Sequence, residues 1–142
     1  IDYHSFDVFP LPNRILNDCA YKEWLQIPTE ISENILMSDW NKIIAVDSSF
    51  NLTKYHKDIL KENLPKNYFD FIYFDAFSPE SQPELWSISL FEKIYESMTE
   101  EAVLVTYCAK GEVKRILKKI GFSLESLPGP PGKREMTRAT KR

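Results

Sequence analysis

Asp75 is the residue of this sequence best placed to do chemistry, because it ends an apolar stretch, residues 69–75, that reads FDFIYFD. Such a stretch predicts a strand with apolar side chains on both faces, which is typical of the centre of a parallel sheet. Phe74, Ala76 and Phe77 flank Asp75 and predict a buried carboxylate. A carboxylate in such surroundings is often functional, although a helix-capping role for Asp75 stays equally open.

The segment after Asp75 is stiffened by proline. Pro79 and Pro83 restrict their own backbone and that of the residues before them. A stiff loop binds a ligand at a lower entropic cost than a flexible one. Trp86 follows on a predicted helix, and its indole ring could either anchor the core or line a pocket for a planar ring.

Two further carboxylates follow predicted strands. Asp7 comes after IDYHSF, a position where an acidic residue commonly accepts hydrogen bonds from ribose hydroxyls. Taken alone, Asp7 is more simply an exposed carboxylate before a turn. Asp58 is a natural N-cap for a short helix, and it could also accept a hydrogen bond from an adenine amino group.

These carboxylates must be positioned by alternating strands and helices. The alternation predicts a doubly wound α/β sheet, mostly parallel, whose last strand is antiparallel. In such sheets ligands bind beyond the carboxyl ends of the strands, where all three carboxylates are expected to lie. The predicted strands are residues 1–9, two strands within 42–58, 69–75, 101–109, 122–127 and 134–140, and the predicted helices are residues 14–26, 31–40, 58–64, 83–98 and 111–121.

Length and composition predict a single domain over residues 1–142, because 43% of these residues are hydrophobic and can form a core. No apolar run reaches the roughly 20 residues that a membrane helix needs, and the first ten residues do not resemble a signal peptide. Cys19 and Cys108 are too few for a disulfide framework or a zinc site, which favours a cytoplasmic location. Cys108 lies in an apolar run and is expected to be a core thiol.

Other chemistries have no motif in the sequence. The chain contains no GxSxG, P-loop, HExxH or CxxC pattern. His4 and His56 are isolated, so each is expected to be a surface histidine or one satisfied within a strand. No set of metal ligands is visible, and we expect no metal.

The charge of the chain is unevenly distributed. Residues 1–108 carry 8 Lys and Arg against 18 Asp and Glu, whereas residues 109–142 carry 10 against 3. A basic C-terminal third could bind nucleic acid, or it could be a solvated helix face with a charged tail. Charge alone favours the second interpretation.

Three longer segments resemble the methyltransferase part of the MnmC family, whose members modify the wobble uridine of tRNA. The segments read FDFIYFDAFSPESQPELWS, LVTYCAKGEVKRILKKIGF and LPGPPGKREMTRA. The opening YHSFDVFPL resembles the second strand of the family and its acidic residue. The similarity covers nearly the whole chain and is strongest from Phe69 onward.

The resemblance implies a Rossmann-like class I methyltransferase that uses S-adenosylmethionine and converts the aminomethyl group of the wobble uridine to methylaminomethyl. It places Asp7 at the ribose hydroxyls of the cofactor, Asp58 at the adenine and Asp75 at the site of methyl transfer. An FAD-dependent oxidase, fused or separate, would be a partner. The residues expected to contact the tRNA substrate are Phe77, Pro79 and Trp86 around the reacting base, and Lys110, Lys114, Arg115, Lys133 and Arg134 at the phosphates.

The resemblance also predicts that this chain is a partial domain. The first strand of the family and its glycine-rich loop would precede residue 1, and the four glycines present all lie at or after Gly111. We therefore expect weak cofactor binding by these 142 residues alone. We also expect the two strands that flank the first strand of the family to be exposed at their edges.

Two other functions remain open from the sequence. One is a non-catalytic RNA-binding α/β module that relies on the basic C-terminal third and uses no cofactor. The other is a methyltransferase that acts on a different small molecule. The first would bind tRNA without any effect of S-adenosylmethionine, and the second would need no tRNA.

Overall fold

The computed structural model describes residues 1–18, 21–132 and 134–142, without the side chains of residues 21 and 22. The chain divides into two compact units, Ile1–Glu62 and Asn63–Arg142, and each unit has its own sheet. The single domain over residues 1–142 stays a prediction.

The first unit contains a three-stranded sheet with the strand order β1-β3-β2. Strand β3 (Asn51–His56) lies between β1 (Asp2–Asp7), to which it is parallel, and β2 (Ile43–Ala45), to which it is antiparallel. Asp47 closes the turn between β2 and β3, because its Oδ1 accepts hydrogen bonds from the backbone N–H and the hydroxyl of Ser49 at 2.6 and 2.9 Å. The predicted pair of strands around this turn is confirmed.

Three short helices connect β1 to β2. They are α1 (Asn13–Asn17), α2 (Tyr21–Leu25) and α3 (Thr29–Leu36). The prediction of one helix over residues 14–26 is wrong, because α1 ends with Asp18 as its C-cap and α2 is a separate helix. Trp24 and Leu25 are 85% and 59% exposed. Cys19 lies outside the described residues.

Lys54 joins helix α3 to the sheet of the first unit. Its ammonium donates hydrogen bonds to the carbonyl oxygens of Ile35 and Leu36 at 3.1 and 3.0 Å, where the helix ends, and lies 5.2 Å from the ring centre of Trp40. Burial lowers the pKa of this ammonium, and the charge of Asp39 opposes that shift. The carbonyls that a helix leaves unpaired at its C-terminus are favourable partners for such a cation.

The second unit contains a four-stranded sheet with the strand order β4-β5-β7-β6. Strand β4 (Phe69–Tyr73) is parallel to β5 (Met98–Thr106), and β7 (Glu135–Thr140) is antiparallel to both β5 and β6 (Ser123–Pro128). The predicted antiparallel last strand is therefore confirmed. The α/β fold is also confirmed, although the two sheets are mixed rather than mostly parallel, because short turns join β2 to β3 and β6 to β7 and require antiparallel pairs.

Strand β4 is an edge strand among the described residues, with β5 as its hydrogen-bonded neighbour. The prediction that residues 69–75 form a central strand is therefore wrong in this structure: Phe71 and Tyr73 are 47% and 67% exposed. Strand β1 likewise pairs on one side in the described part of the chain. Each of these strands is thus an edge strand of the sheet in its own unit, within the described residues.

Two helices form the core of the second unit with the sheet. The predicted helix over residues 83–98 is divided into a 3-10 turn (Pro83–Trp86) and α4 (Ile88–Ser97), with Ser87 as the N-cap that accepts a hydrogen bond from the N–H of Leu90 at 3.4 Å. Helix α5 (Gly111–Ile120) ends at Gly121, as predicted. Cys108 is the buried core thiol that the sequence predicts. The largest fully buried apolar side chains are those of Leu90, Phe91, Met98, Leu104, Val113 and Leu117.

We expect Gly121→Ala to lower the free energy of unfolding by about 1–3 kcal/mol, because Gly121 has a φ of 123° that disfavours any side chain. An added Cβ would also lie 3.2 Å from the hydroxyl oxygen of Tyr95. Urea denaturation measures the loss. Gly132→Ala is the control, since its φ is 88° but nothing lies within 4 Å of the added Cβ. Equal losses in the two variants would show that Tyr95 contributes nothing.

Candidate functional site

In the first unit, two parallel strands end side by side at one edge of the sheet. Asp7, the last residue of β1, is in register with His56, the last residue of β3. The N–H of Lys57 donates a hydrogen bond to the carbonyl oxygen of Asp7 at 3.1 Å, and Nε2 of His56 lies 3.2 Å from the carbonyl oxygen of Val8. The loops that follow β1 and β3 are therefore adjacent. They lie at the carboxyl ends of these strands, where ligands bind in such sheets.

Asp7 is exposed at the carboxyl end of β1, and one of its two carboxylate oxygens already accepts a hydrogen bond. Its Oδ1 accepts a hydrogen bond from the N–H of Phe9 at 2.8 Å, which fixes the orientation of the side chain. The other oxygen makes no hydrogen bond within the described residues. A fixed carboxylate with a free oxygen can accept hydrogen bonds from the hydroxyls of a ribose.

Asp58 lies in the adjacent loop and closes a turn. Its Oδ1 accepts a hydrogen bond from the N–H of Leu60 at 3.0 Å, and its Oδ2 lies 3.2 Å from the ammonium of Lys61. The predicted helix over residues 58–64 is wrong, because the structure contains a turn there; Pro65 disfavours helical backbone at the residue before it. Asp58 therefore closes a turn instead of capping a helix, and contact with an adenine stays a prediction.

In the second unit, Asp75 and Tyr107 lie at the carboxyl ends of neighbouring parallel strands. Tyr73 is in register with Val105, and the N–H of Phe74 donates a hydrogen bond to the carbonyl oxygen of Val105 at 2.9 Å. Asp75 lies two residues after Tyr73, and Tyr107 lies two residues after Val105. The prediction that Asp75 is buried is wrong, because β4 is an edge strand: the side chain is exposed and has no hydrogen bond or ion pair with the described residues.

Two aromatic side chains hold the backbone of the loop that follows Asp75. The hydroxyl of Tyr107 donates a hydrogen bond to the carbonyl oxygen of Ala76 at 2.7 Å. The indole N–H of Trp86 donates to the carbonyl oxygen of Phe77 at 2.8 Å. Trp86 is 4% exposed, so it has the core-anchoring role that the sequence left open. Direct contact of its ring with a substrate stays a prediction.

The remainder of this loop is also internally fixed. The N–H groups of Ser81 and Gln82 donate hydrogen bonds to the carbonyl oxygen of Ser78 at 2.8 and 2.9 Å. Glu80 forms an ion pair with Lys110 in the loop after β5. Phe77, in contrast, is 73% exposed. Contacts of Phe77 and of the half-buried Pro79 with a substrate stay predictions.

Tyr107 belongs to the candidate site but is absent from the residues that the sequence predicted for it. Burial is the largest cause of a raised pKa at the Tyr107 hydroxyl, followed by the nearby Cys108 and Asp75. The hydroxyl therefore remains a proton donor to Ala76 at neutral pH. A signal for it was present: a polar aromatic residue ends the apolar strand in LVTYCA.

The predicted phosphate-binding residues have different environments. Lys110 pairs with Glu80, and Lys114 lies 3.0 Å from Glu135, whereas Arg115 is exposed. Lys133 lies outside the described residues. Exposed Arg134 is located between β6 and β7, and its carbonyl oxygen accepts a hydrogen bond from the N–H of Gly129 at 3.3 Å.

Neither histidine has the surroundings of a metal ligand. Nδ1 of His4 lies 3.1 Å from the hydroxyl of Tyr55, and His56 is paired with the backbone of Val8. Within the described residues, no three His, Cys, Asp or Glu side chains are grouped as metal ligands would be. In the same part of the chain, no helix has both the length and the apolar character to cross a membrane.

A family model described as S-adenosyl-L-methionine-dependent methyltransferase matches residues 21–142. The chain belongs to this family. The tRNA 5-methylaminomethyl-2-thiouridine biosynthesis bifunctional protein MnmC of Hahella chejuensis is 36% identical over 144 residues, which cover 96% of this chain and 23% of that protein. The protein of the same name from Nitrosospira multiformis is 28% identical over 142 residues, again covering 96% of this chain and 23% of the relative.

Solved structures share the fold. MNMC2 from Aquifex aeolicus matches with a TM-score of 0.68 at 23% identity, covering 99% of this chain and 43% of that one. The S-adenosylmethionine-dependent methyltransferase SibL matches with a TM-score of 0.51 at 13% identity over 99% of this chain and 50% of its own. The Rossmann-like fold is thereby confirmed. This chain spans less than a quarter of the length of the MnmC relatives named above.

S-Adenosylmethionine is the cofactor of this family, and the residues present fit parts of it. The free carboxylate oxygen of Asp7 is an acceptor of the kind that ribose hydroxyls need. The exposed carboxylate of Asp75, without a partner among the described residues, can interact with a cationic or amine group. Asp58 is already engaged in its turn and fits the adenine less well.

We expect Tyr107→Phe to speed amide hydrogen exchange in residues 75–82 by about 2- to 10-fold, which corresponds to one lost hydrogen bond. The variant keeps the ring and removes the hydroxyl that holds Ala76. The control is Tyr95→Phe, which removes a hydroxyl that donates to the carbonyl oxygen of Arg142 at 2.8 Å. Equal exchange of residues 75–82 in both variants would contradict a specific role for Tyr107.

Proposed function

We propose that the protein transfers a methyl group from S-adenosylmethionine to the aminomethyl nitrogen of the wobble uridine of tRNA, forming the methylaminomethyl group. The family supports the methyl transfer. The names of the relatives supply the substrate, because they refer to tRNA and to a methylaminomethyl uridine. A methyltransferase that yields this group acts on the corresponding primary amine.

The observation that carries the proposal is the position of Asp75. Its carboxylate is exposed at the carboxyl end of a parallel strand and has no partner among the described residues. An aliphatic amine is mostly protonated near neutral pH and must lose a proton before it can attack a methyl group. Asp75 is suited to orient that amine and to accept its proton.

The reaction needs little covalent help from the protein. S-Adenosylmethionine supplies an electrophilic methyl group when it is bound. Asp75 would take one proton from the protonated amine, and the neutral nitrogen would then attack the methyl carbon as the bond from carbon to sulfur breaks toward sulfur. The sulfur would leave as a neutral thioether, and the methylated nitrogen would keep its two remaining protons and the positive charge. Positioning then accounts for most of the rate, and the hydrogen bonds to Ala76 and Phe77 keep the loop that bears Asp75 in place.

Within this proposal, Asp7 accepts hydrogen bonds from the ribose hydroxyls of the cofactor and Asp58 lies near the adenine. The fixed carboxylate of Asp7 supports the first assignment. The substrate side includes Phe77, Pro79 and Trp86. The ring of Phe77 is exposed, and the indole N–H of Trp86 holds the loop by donating a hydrogen bond to the carbonyl oxygen of Phe77.

The proposed partners are tRNA and an FAD-dependent oxidase. The word bifunctional in the names of the relatives supports a second activity in those proteins. We assign tRNA phosphate contacts to Arg115, Lys133 and Arg134, and to Lys110 if phosphate displaces Glu80 from its ion pair. A cytoplasmic location is consistent with a tRNA substrate.

We expect Asp75→Asn to reduce single-turnover methylation of tRNA that carries aminomethyl uridine by a factor of roughly 10² or more, because the proton acceptor is lost. The affinity for S-adenosylmethionine should change much less. Asp70→Asn is the matched control, since Asp70 lies on the same strand and its Oδ1 accepts a hydrogen bond from Thr99 at 2.9 Å. A folded Asp75→Asn variant with the parent rate would restrict Asp75 to a structural role.

We expect Asp7→Ala to weaken S-adenosylmethionine binding by about 1–3 kcal/mol, the size of a lost hydrogen bond to a charged group. Calorimetry on the full-length protein, rather than on these 142 residues alone, measures this difference. Asp2→Ala is the control at the other end of β1, where Asp2 accepts a hydrogen bond from Asn51 at 2.8 Å. Unchanged affinity in Asp7→Ala would remove Asp7 from the cofactor site.

The same assays separate the two other functions. A non-catalytic RNA-binding module would bind tRNA and transfer no methyl group to it. A methyltransferase for another small molecule would bind S-adenosylmethionine and leave tRNA unlabelled. Either result would contradict the proposal.

A further inference from the structure

A groove between helix α5 and strand β6 carries positive charge that the methyl-transfer chemistry does not use. It has a volume of about 310 Å³ and lies wholly within the second unit. Its floor is apolar at Leu124. The charged and polar side chains that line it are those of Lys114, Arg115, Lys118, Glu125 and Ser126.

Two acidic side chains at this groove, those of Glu125 and Glu135, are paired with cations. Glu125 forms an ion pair with Arg138, and Lys114 lies 3.0 Å from Glu135 and 2.9 Å from the hydroxyl of Ser126. Hydrogen bonds from Lys114 and Ser126, with the charge of Lys114, lower the pKa of Glu135. Glu135 is therefore ionised at neutral pH and remains paired with Lys114.

Arg115 and Lys118 supply the excess charge. Both side chains are exposed, and neither has an ion pair or a side-chain hydrogen bond among the described residues. They are three residues apart on α5 and so lie on neighbouring turns of one face. The guanidinium of Arg115 lies back toward Gly111, where an added Cβ would be 3.3 Å from Nη1.

The groove begins at the side of the sheet where the carboxyl ends of β4 and β5 lie, which is also the side that bears Asp75. Helix α5 starts shortly after β5 ends, so Lys114 in its first turns is near the carboxyl end of that strand. Strand β6 runs in the same direction as β5, because both are antiparallel to β7. Arg115 and Lys118 therefore follow one another away from this edge along α5.

We propose that this groove binds the phosphodiester backbone of the RNA substrate, with Arg115 and Lys118 each neutralising one phosphate. The proposal rests on the proposed function, which makes the substrate an RNA. An open groove with two unpaired cations on one helix face suits a chain of phosphates, and phosphate contacts hold an RNA in place without reading its sequence. Lys118, absent from the residues assigned above, becomes a substrate-positioning residue.

The test is the salt dependence of tRNA binding by the protein and by the double variant Arg115→Gln with Lys118→Gln. Two lost phosphate contacts should reduce the slope of log K against log salt by roughly 1.4–1.8 and weaken binding by roughly tenfold near 0.1 M salt. Each single variant should show about half of the change in slope. Lys119→Gln is the matched control, because Lys119 is exposed on the same helix but does not line the groove.

The possible outcomes distinguish a failure of the groove proposal from a failure of the proposed function. The groove proposal alone would be overturned if the parent protein binds tRNA and the folded double variant keeps the same slope of log K against log salt. It would also be overturned if Lys119→Gln loses as much tRNA affinity as the double variant. A parent that does not bind tRNA would overturn the proposed function as well. Calorimetry with inorganic phosphate alone adds a third arm: tight binding that the double variant loses would assign a small-anion site and overturn the RNA proposal.

Discussion

The parallel pairing of β4 with β5 is the constraint on which the candidate site depends. The register of Tyr73 with Val105 brings the residues that follow each strand to one edge, so that Asp75 and Tyr107 become neighbours. Tyr107 then reaches across to the carbonyl oxygen of Ala76. A slip in this register would separate the carboxylate from the side chain that holds its loop.

The candidate site combines an exposed carboxylate with a buried support. Asp75 is open to an incoming substrate, whereas Trp86 is packed against Phe74 and Phe91 and holds the loop from the core, with ring centres 5.1 and 6.1 Å away. Hydrogen bonds to two consecutive carbonyls restrict the loop backbone before any ligand binds. Less conformational freedom is then lost when a ligand binds, which would favour alignment of the proposed amine substrate with the methyl donor.

The sequence predicted the strands and helices better than it predicted which of their side chains are buried. Alternation in residues 122–140 predicted the antiparallel pair at the end of the chain, and the resemblance predicted the fold. The apolar stretch of β4 predicted a central strand and a buried Asp75, yet Phe71 and Tyr73 are exposed because burial depends on which strands lie beside β4. Tyr107 was missed because its hydrogen bond joins residues 31 apart, and a local pattern carries no such information.

If Asp75 serves methylation of an amine in tRNA, the transferred methyl group must be found on that amine. The most direct measurement is nucleoside mass spectrometry of aminomethyl-uridine tRNA after incubation with the protein and S-adenosylmethionine that carries an isotope-labelled methyl group. We predict that the label is on the exocyclic amino nitrogen of the wobble uridine. Label on a ring atom, on a ribose or at another nucleotide, or tRNA without label, would contradict it.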